Sequence, residues 1–360
     1  RSAYLKTHYP EIFLSAVLSA EADDSERVQL LLKDVQRLKI RMHPPDINAS
    51  DSDFRANRDG SIQFGLKAIK GVGSGVMQNI VHNRGTTAFK GLLDFCRRAS
   101  GNIPQAALEL LVQAGAFDSL ETNRAAVYAT IPSALAQHAN VGNLFNSDDS
   151  EDLADIPAWS EREKLIREQQ ALGLLLSGNF YQLYRDITKK LPLSWQLLDA
   201  RPSENITIAG TFVRIVKRPG KKKGVFLLRD DKTELEILAT RETMKILSLD
   251  NIILQLLIIR GKAFNGFRGI SIMADSIEPL DAFLARRLDC IHLRCNNTLS
   301  LPALRALLPR QAQGKQTILL QYGDPTITFN VDLGSGWAIN HETCQQLGSM
   351  DGILQINLQF

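Results

Sequence analysis

Cysteine is scarce in this chain. Only Cys96, Cys290, Cys295 and Cys344 occur in 360 residues. None forms a C-x-x-C pair, and no histidine pair has zinc spacing, which argues against a zinc module or a redox dithiol. Cys290, His292 and Cys295 lie close together, but the alternation through Ile291-His292-Leu293-Arg294-Cys295 reads as a strand rather than a ligand loop. Free, reduced cysteines point to the cytosol. No apolar run approaches the ~18 residues of a membrane span and no signal peptide is present, so no membrane partner is expected. The six histidines are scattered, and P-loop, H-E-x-x-H, Ser/His/Asp and Cys/His signatures are all missing. Asp51-Ser52-Asp53 offers two carboxylates in a Ser/Asn/Asp-rich turn, which reads as solvated caps rather than a Mg²⁺ site. No catalytic residue, metal ligand or cofactor is therefore expected. The chain opens Arg1-Ser2-Ala3, already in a helical pattern, as a piece of something longer would.

Apolar residues are plentiful, at 44% against 22% charged. Cores can be buried, and the length suits two or three domains. The net charge of +3 is too small to argue for nucleic acid by itself, but its distribution is uneven. Seven basic residues and no acid fall between Arg214 and Arg229, while five acids and no base fall between Asp148 and Asp155.

Residues 1–42 read as helices from apolar residues at Ile12, Phe13, Ala16 and Val17, then Val28, Leu31, Leu32, Val35 and Leu38. Pro44-Pro45 ends that part. A helix is predicted from Pro104 to about Ala114, stopped by Gly115. Between them lies the most informative stretch, Phe64 to Val76. An apolar run meets Gly71-Val72-Gly73-Ser74-Gly75, and a second amphipathic run follows. Glycine lets such a turn use conformations closed to residues with a Cβ. The turn aims the unpaired N–H groups of the next helix outward, where an anion binds. Lys67 and Lys70 flank the spot, with no acid close in sequence. This is the pattern of a helix-hairpin-helix, which grips nucleic-acid phosphate without reading bases; a tight turn between core helices is the alternative. Leu110 to Phe117 reads as a second, degenerate hairpin. Residues 146–159 read as a mobile acidic linker, and Ser160 to Glu163 as a capping box opening a helix to about Leu176.

Five strands follow, at Ile206–Phe212, Val225–Leu228, Leu235–Ala239, Ile252–Arg260 and Gly269–Met273. A helical stretch from Glu242 to Leu247 separates the third from the fourth, which fits an OB-fold barrel. Lys217, Arg218, Lys221, Lys222, Lys223, Phe226, Phe264, Phe267 and Arg268 combine cations with aromatics, as single-strand binding needs. A solvated hairpin with Phe226 inside the barrel is the alternative. Residues 288–360 mix strands with helices near 301–308 and 341–348, a small α+β domain. Leu144 and Phe145, beside the acidic linker, are out of place unless something binds them.

Several motifs occur in an order that resembles the α subunit of bacterial DNA polymerase III. They are Ala3 to Phe13, Pro44-Pro45-Asp46-Ile47-Asn48, Gly65 to Gly73, Leu111 to Asp118, and Glu168 to Gly178 ending Leu176-Ser177-Gly178. The resemblance implies a multidomain α+β chain. Residues 1–50 would end the fingers, and 51–145 would form the helix-hairpin-helix and clamp-binding domain. Residues 146–204 would be linker and helix, 205–280 an OB-fold, and 281–360 a C-terminal domain engaging the clamp-loader τ subunit. It implies duplex DNA, single-stranded template, the β sliding clamp and τ as partners. The clamp-binding pentapeptide corresponds to Val141-Gly142-Asn143-Leu144-Phe145, with Val141 where the family has Gln. Asn179-Phe180 follow Leu-Ser-Gly where the family often has His-Pro. The parent would be a Mg²⁺-dependent nucleotidyltransferase. The palm carboxylates have no counterpart in these residues, so this piece is expected to be inactive.

Overall fold

The computed structural model describes residues 2–99, 103–139, 153–193, 205–217, 223–231, 233–248, 252–266, 269–308, 314–323 and 328–360. The chain forms two compact units, Arg1–Gly178 and Asn179–Phe360.

The first unit is mainly helical. Its helices are α1 (Ser2–His8), α2 (Pro10–Ala20), α3 (Ser25–Arg37), α4 (Ser74–Arg84), α5 (Leu92–Ala99), α6 (Gln105–Gln113), α7 (Arg124–Ala139) and α8 (Glu161–Leu172). Local chemistry sets their ends. Pro10 starts α2 with its backbone angle already helical. Asp24 caps α3 by accepting from Glu26 N and Arg27 N at 3.0 and 3.1 Å. Ser160 accepts from Glu163 N at 3.2 Å, which opens α8 as the capping box predicts. That helix ends at Leu172 rather than about Leu176, because Gly173 turns into the left-handed region at φ +71°. In α2 the buried face is Leu14, Ser15 and Leu18, while Ile12 is exposed. Of the residues the periodicity selects, Phe13 packs against the core, while Ile12 and Ala16 are exposed, because apolar residues surround this helix.

A three-stranded sheet, which the sequence reading did not include, interrupts the helices. It comprises β1 (Met42–His43), β2 (Arg55–Ala56) and β3 (Ile62–Gln63), with β3 central, parallel to β1 and antiparallel to β2. Each strand has two residues, too few to show a period of two. Edge-to-face pairs Phe54–Phe64, Phe89–Phe95 and Phe95–Phe117, at 4.7, 5.0 and 5.2 Å between ring centres, run through the core. Of the acidic stretch, residues 153–159 are docked rather than loose. Ala154 N donates to Thr130 Oγ1 at 2.9 Å, and Asn123 Nδ2 donates to Ile156 O at 2.9 Å. Arg167 stacks over both Trp159 and Tyr128.

The second unit opens with a 3₁₀ helix, Phe180–Tyr184, followed by the single-turn helix α9 (Arg185–Thr188). Strands β4 (Asn205–Lys217), β5 (Gly224–Arg229), β6 (Glu234–Ala239), β7 (Leu256–Gly266) and β8 (Gly269–Pro279) close into a barrel in the order β4-β5-β6-β8-β7. All neighbours are antiparallel except β6 and β8. A short 3₁₀ helix, Thr243–Ser248, stands where a helical stretch was expected. Ile252–Leu254 is also a 3₁₀ turn, so the fourth strand starts at Leu256 instead of Ile252. Two register shifts in β4 supply the bending that closure requires. Ile208, Phe226, Leu228, Ile237, Leu257, Ile259 and Ile272 fill the interior.

After α10 (Leu280–Arg287) comes a four-stranded sheet of β9 (Cys290–Cys295), β10 (Thr317–Gly323), β11 (Thr328–Asp332) and β12 (Ile353–Gln359), in the order β11-β10-β9-β12. Helices α11 (Leu301–Leu307) and α12 (His341–Ser349) pack on it. One core joins this sheet to Ala209, Leu256 and Ile258 of the barrel. Alternation along β9 puts Cys295 with Ile291 and Leu293, on the face opposite Cys290 and His292. The three therefore cannot share a ligand sphere. The arrangement is α+β in several parts, and no helix among the described residues is long and apolar enough to cross a membrane.

Candidate nucleic-acid interface

The hairpin forms where the glycines fall. Leu66–Ala68 make a 3₁₀ turn, and Val72 is buried, as are Val76, Met77 and Ile80 of α4. Gly71, Gly73, Ser74 and Gly75 are exposed at the tip. The glycines have different causes. Gly71 has φ +72°, so the turn requires it. Gly73 has φ −67° and ψ 158°, which any residue adopts, and a Cβ on Gly73 or Gly75 would meet nothing within 4 Å. The expectation that both Gly71 and Gly73 are needed for the turn thus holds for Gly71 alone. The fold leaves the space over Gly73 and Gly75 open.

That space faces donors. No acid occupies the first turn of α4, and no side chain caps it. Val76 N and Met77 N turn back to Gly73 O at 3.0 and 3.2 Å. The N–H groups of Gly73, Ser74 and Gly75 have no acceptor among the described residues. Unpaired N–H groups at the positive end of a helix attract an anion.

The two lysines differ. Lys67 faces Asp23 at 3.7 Å, so an acid remote in sequence stands beside it, contrary to the expectation of none nearby. Lys70 is exposed, and no carboxylate lies within ion-pair distance of it among the described residues. Its backbone N donates to Ala171 O at 2.8 Å. Its ammonium lies across Gly173, where a Cβ would come within 2.4 Å of Nζ. The glycine that stops α8 thereby makes room for the hairpin lysine.

A buried ion network ties the remaining motifs together. Arg124 donates from Nε and Nη2 to both oxygens of Asp118 at 2.7 and 2.6 Å, and from Nη1 to Gln113 O at 3.0 Å. Nη1 also lies 3.6 Å from Glu168 Oε2. Glu168, 1% exposed, accepts from Leu176 N and Ser177 N at 2.5 and 2.9 Å. Burial works against the charge on Arg124, but Asp118 and Glu168 outweigh it and hold its pKa above the usual value. Leu111–Asp118 and Glu168–Gly178 are thus architectural. Asp51 is likewise engaged, by Arg84 at 2.9 Å and Arg55 at 2.6 Å. Both its oxygens face guanidinium groups, which does not suit a Mg²⁺ ligand. No cluster of three metal-ligating side chains occurs among the described residues.

Among the described residues, Phe226 departs from the expected single-strand surface. Phe226 is fully buried in the interior and has no face for a base. Lys223 is exposed at the start of β5, its Nζ 2.8 Å from Met273 Sδ. Phe264 is half-buried on β7. Lys217 ends β4. Arg218, Lys221, Lys222, Phe267 and Arg268 lie outside the described residues, as do Val141, Asn143, Leu144 and Phe145.

Comparison with known proteins agrees with this geometry. Residues 39–127 match the family described as a helix-hairpin-helix motif. The DNA polymerase III subunit alpha of Neisseria meningitidis serogroup A is 34% identical over 305 residues, which is 78% of this chain and 26% of that protein. The Escherichia coli K12 protein of the same name is 29% identical and aligns with 100% of this chain and 34% of its own. The Vibrio cholerae protein is 27% identical with the same coverage. The chain belongs to the bacterial DNA polymerase III α-subunit family. It spans about a third or less of the length of these curated relatives. In polymerase III α terms, the matched helix-hairpin-helix contains the glycine tip, Lys70 and the start of α7. Sequence reading missed Asp23 and Gly173 as neighbours of the hairpin, since both are far from it along the chain.

Proposed function

We propose that this chain is the C-terminal part of a DNA polymerase III α subunit that holds DNA and replication partners, with residues 66–84 gripping duplex phosphate without sequence preference. The observation that carries it is the open tip over Gly73 and Gly75, where the N–H groups at the start of α4 have no acceptor among the described residues, with exposed Lys70 immediately before Gly71 in the chain. The barrel order, with a short helical element after the third strand, supports reading residues 205–280 as an OB-fold. Residues 1–50 are read as the end of the fingers, 51–145 as the hairpin and clamp-binding domain, and 146–204 as linker and helix.

The β sliding clamp is the proposed partner of Val141, Asn143, Leu144 and Phe145. The τ subunit is proposed for residues 281–360. There, Leu301, Leu304, Leu308, Leu320, Leu333 and Trp337 line an apolar cleft of about 590 Å³. The edge strand β11 adds exposed Phe329 and Val331, so an apolar partner could be covered. The piece itself is read as catalytically inactive, cytoplasmic and without a cofactor, Mg²⁺ serving the parent polymerase. A stand-alone single-strand-binding or repair scaffold is the other reading of the same modules. The test is binding of the chain to two 20-bp duplexes of unrelated sequence. Equal, salt-sensitive affinity supports the assignment, and no duplex binding at low salt would overturn it.

A further inference from the structure

One edge of the four-stranded sheet is open. Strand β11 pairs with β10 alone. Leu333 N donates to Ile318 O at 2.9 Å, while Thr317 N turns the other way and donates to Asp289 O at 2.9 Å. By alternation, Phe329 and Val331 turn their backbone groups towards β10, and residues 328, 330 and 332 turn theirs outward. Those outward groups have no backbone partner among the described residues.

The same edge carries an apolar face. Val331 pairs with Leu320 and Phe329 with Tyr322. Both therefore share the face of Leu320, which lines the cleft with Leu333 and Trp337. Phe329 is 61% exposed and Val331 45%. The opposite edge, β12, is different: its pairing shifts register between Ile353 and Gln355, and Ile356 is buried. Edges are ordinarily blunted by lysine, proline or a bulge. Thr328–Asp332 has none of these.

We propose that β11 pairs antiparallel with β11 of a second copy of this chain, with Asn330 opposite Asn330. In that register the strand is complementary to itself. Residues 328, 330 and 332 meet residues 332, 330 and 328 of the second copy, so every outward backbone group of the strand gains a partner. Asp332 stands opposite Thr328, and no like charges are opposed. Phe329 takes the close, non-hydrogen-bonded position opposite Val331 of the second copy, with ~4.5 Å between Cα atoms. Leu333 of the second copy is its diagonal neighbour at ~7–8 Å, within reach of an aromatic ring. Each exposed Phe329 is thus brought to the rim of the other copy's cleft. An edge of five residues is short for a permanent interface, so the pair forms and parts with concentration. The inference goes beyond the nucleic-acid, clamp and τ readings and rests on none of them.

The test is sedimentation equilibrium of the intact chain from about 1 to 100 μM, the range of weak association. The apparent mass should rise from 40.0 kDa towards twice that value. Phe329→Lys places a cation opposite Val331 twice over, once in each copy, and should weaken association at least about tenfold. The side chain is exposed, so this variant should fold. Asn330→Pro removes an outward N–H without breaking the ladder to β10 and should act in the same direction. Asn330→Cys should cross-link to itself under mild oxidation, because directly opposed residues lie ~5.5 Å apart, a disulfide distance. Leu354→Cys on β12 should not cross-link, and the native cysteines are buried. A wild type that stays monomeric across the range would overturn the pairing, as would a dimer that Phe329→Lys leaves intact. A monomeric chain whose Phe329→Lys variant loses affinity for τ would give the edge to another protein and overturn it equally.

Discussion

Alanine at Gly71 and alanine at Gly73 should do opposite things. Gly71 has φ +72°, a conformation that costs an L-residue about 1–2 kcal/mol. The new Cβ would also meet Leu110 Cδ1 at 2.9 Å. That atom ends a flexible side chain and can move, so the backbone dominates. For a unit of this size, each kcal/mol lowers Tm by about 2–4 °C, and Gly71→Ala should lower it by about 2–8 °C. Gly73 has ordinary angles and open space around it. Gly73→Ala should leave Tm unchanged or raise it slightly, because it reduces the freedom of the unfolded chain by about 0.4–1 kcal/mol. Its effect should appear on binding instead, since a methyl over the N–H groups of α4 keeps a phosphate away. Thermal unfolding and anisotropy with a 20-bp duplex measure the two quantities. Equal destabilisation by both substitutions would refute the assignment of turn strain to Gly71. Unchanged duplex affinity in Gly73→Ala would refute the close approach.

Arg124→Met should destabilise the first unit by about 3–5 kcal/mol, because it leaves Glu168 and Asp118 without their buried cation; a denaturant midpoint near wild type would contradict this. Leu144→Ala with Phe145→Ala should abolish clamp binding and Val141→Gln should tighten it, as read by titration of the sliding clamp with each variant. Burial pushes the Cys344 thiol up to about 12. At pH 8 its thiolate fraction should then be about one in ten thousand, so a thiol reagent should reach it only after unfolding. The sign is that of a group kept neutral in the folded state. Raising the pH through about 9 therefore favours the unfolded chain, and prompt labelling of native Cys344 would show that its site opens.

Element types were legible in the sequence wherever one period ran long enough. The strands of the barrel, α3, α6 and the start of α8 follow from alternation, caps and Gly115. The two-residue strands were not legible, because a pair of residues carries no period. In α2 the apolar residues encircle the helix, and only tertiary packing selects Leu14 and Leu18. The hairpin could be read because its glycines and lysines are contiguous. The roles of those glycines could not, since Gly71 and Gly73 look alike in sequence and differ only in backbone angle. Asp23 and Gly173 reach the hairpin only through contacts between distant segments.

The central claim is that the exposed hairpin tip contacts duplex phosphate with Lys70 as its free cation. Its most direct test is the dependence of duplex affinity on salt concentration for the wild type and Lys70→Ala. Loss of one phosphate contact should reduce the slope of log K against log salt by about 0.9 and weaken binding for every sequence alike. An unchanged slope and affinity in a folded Lys70→Ala variant would make the hairpin a structural turn and contradict the account.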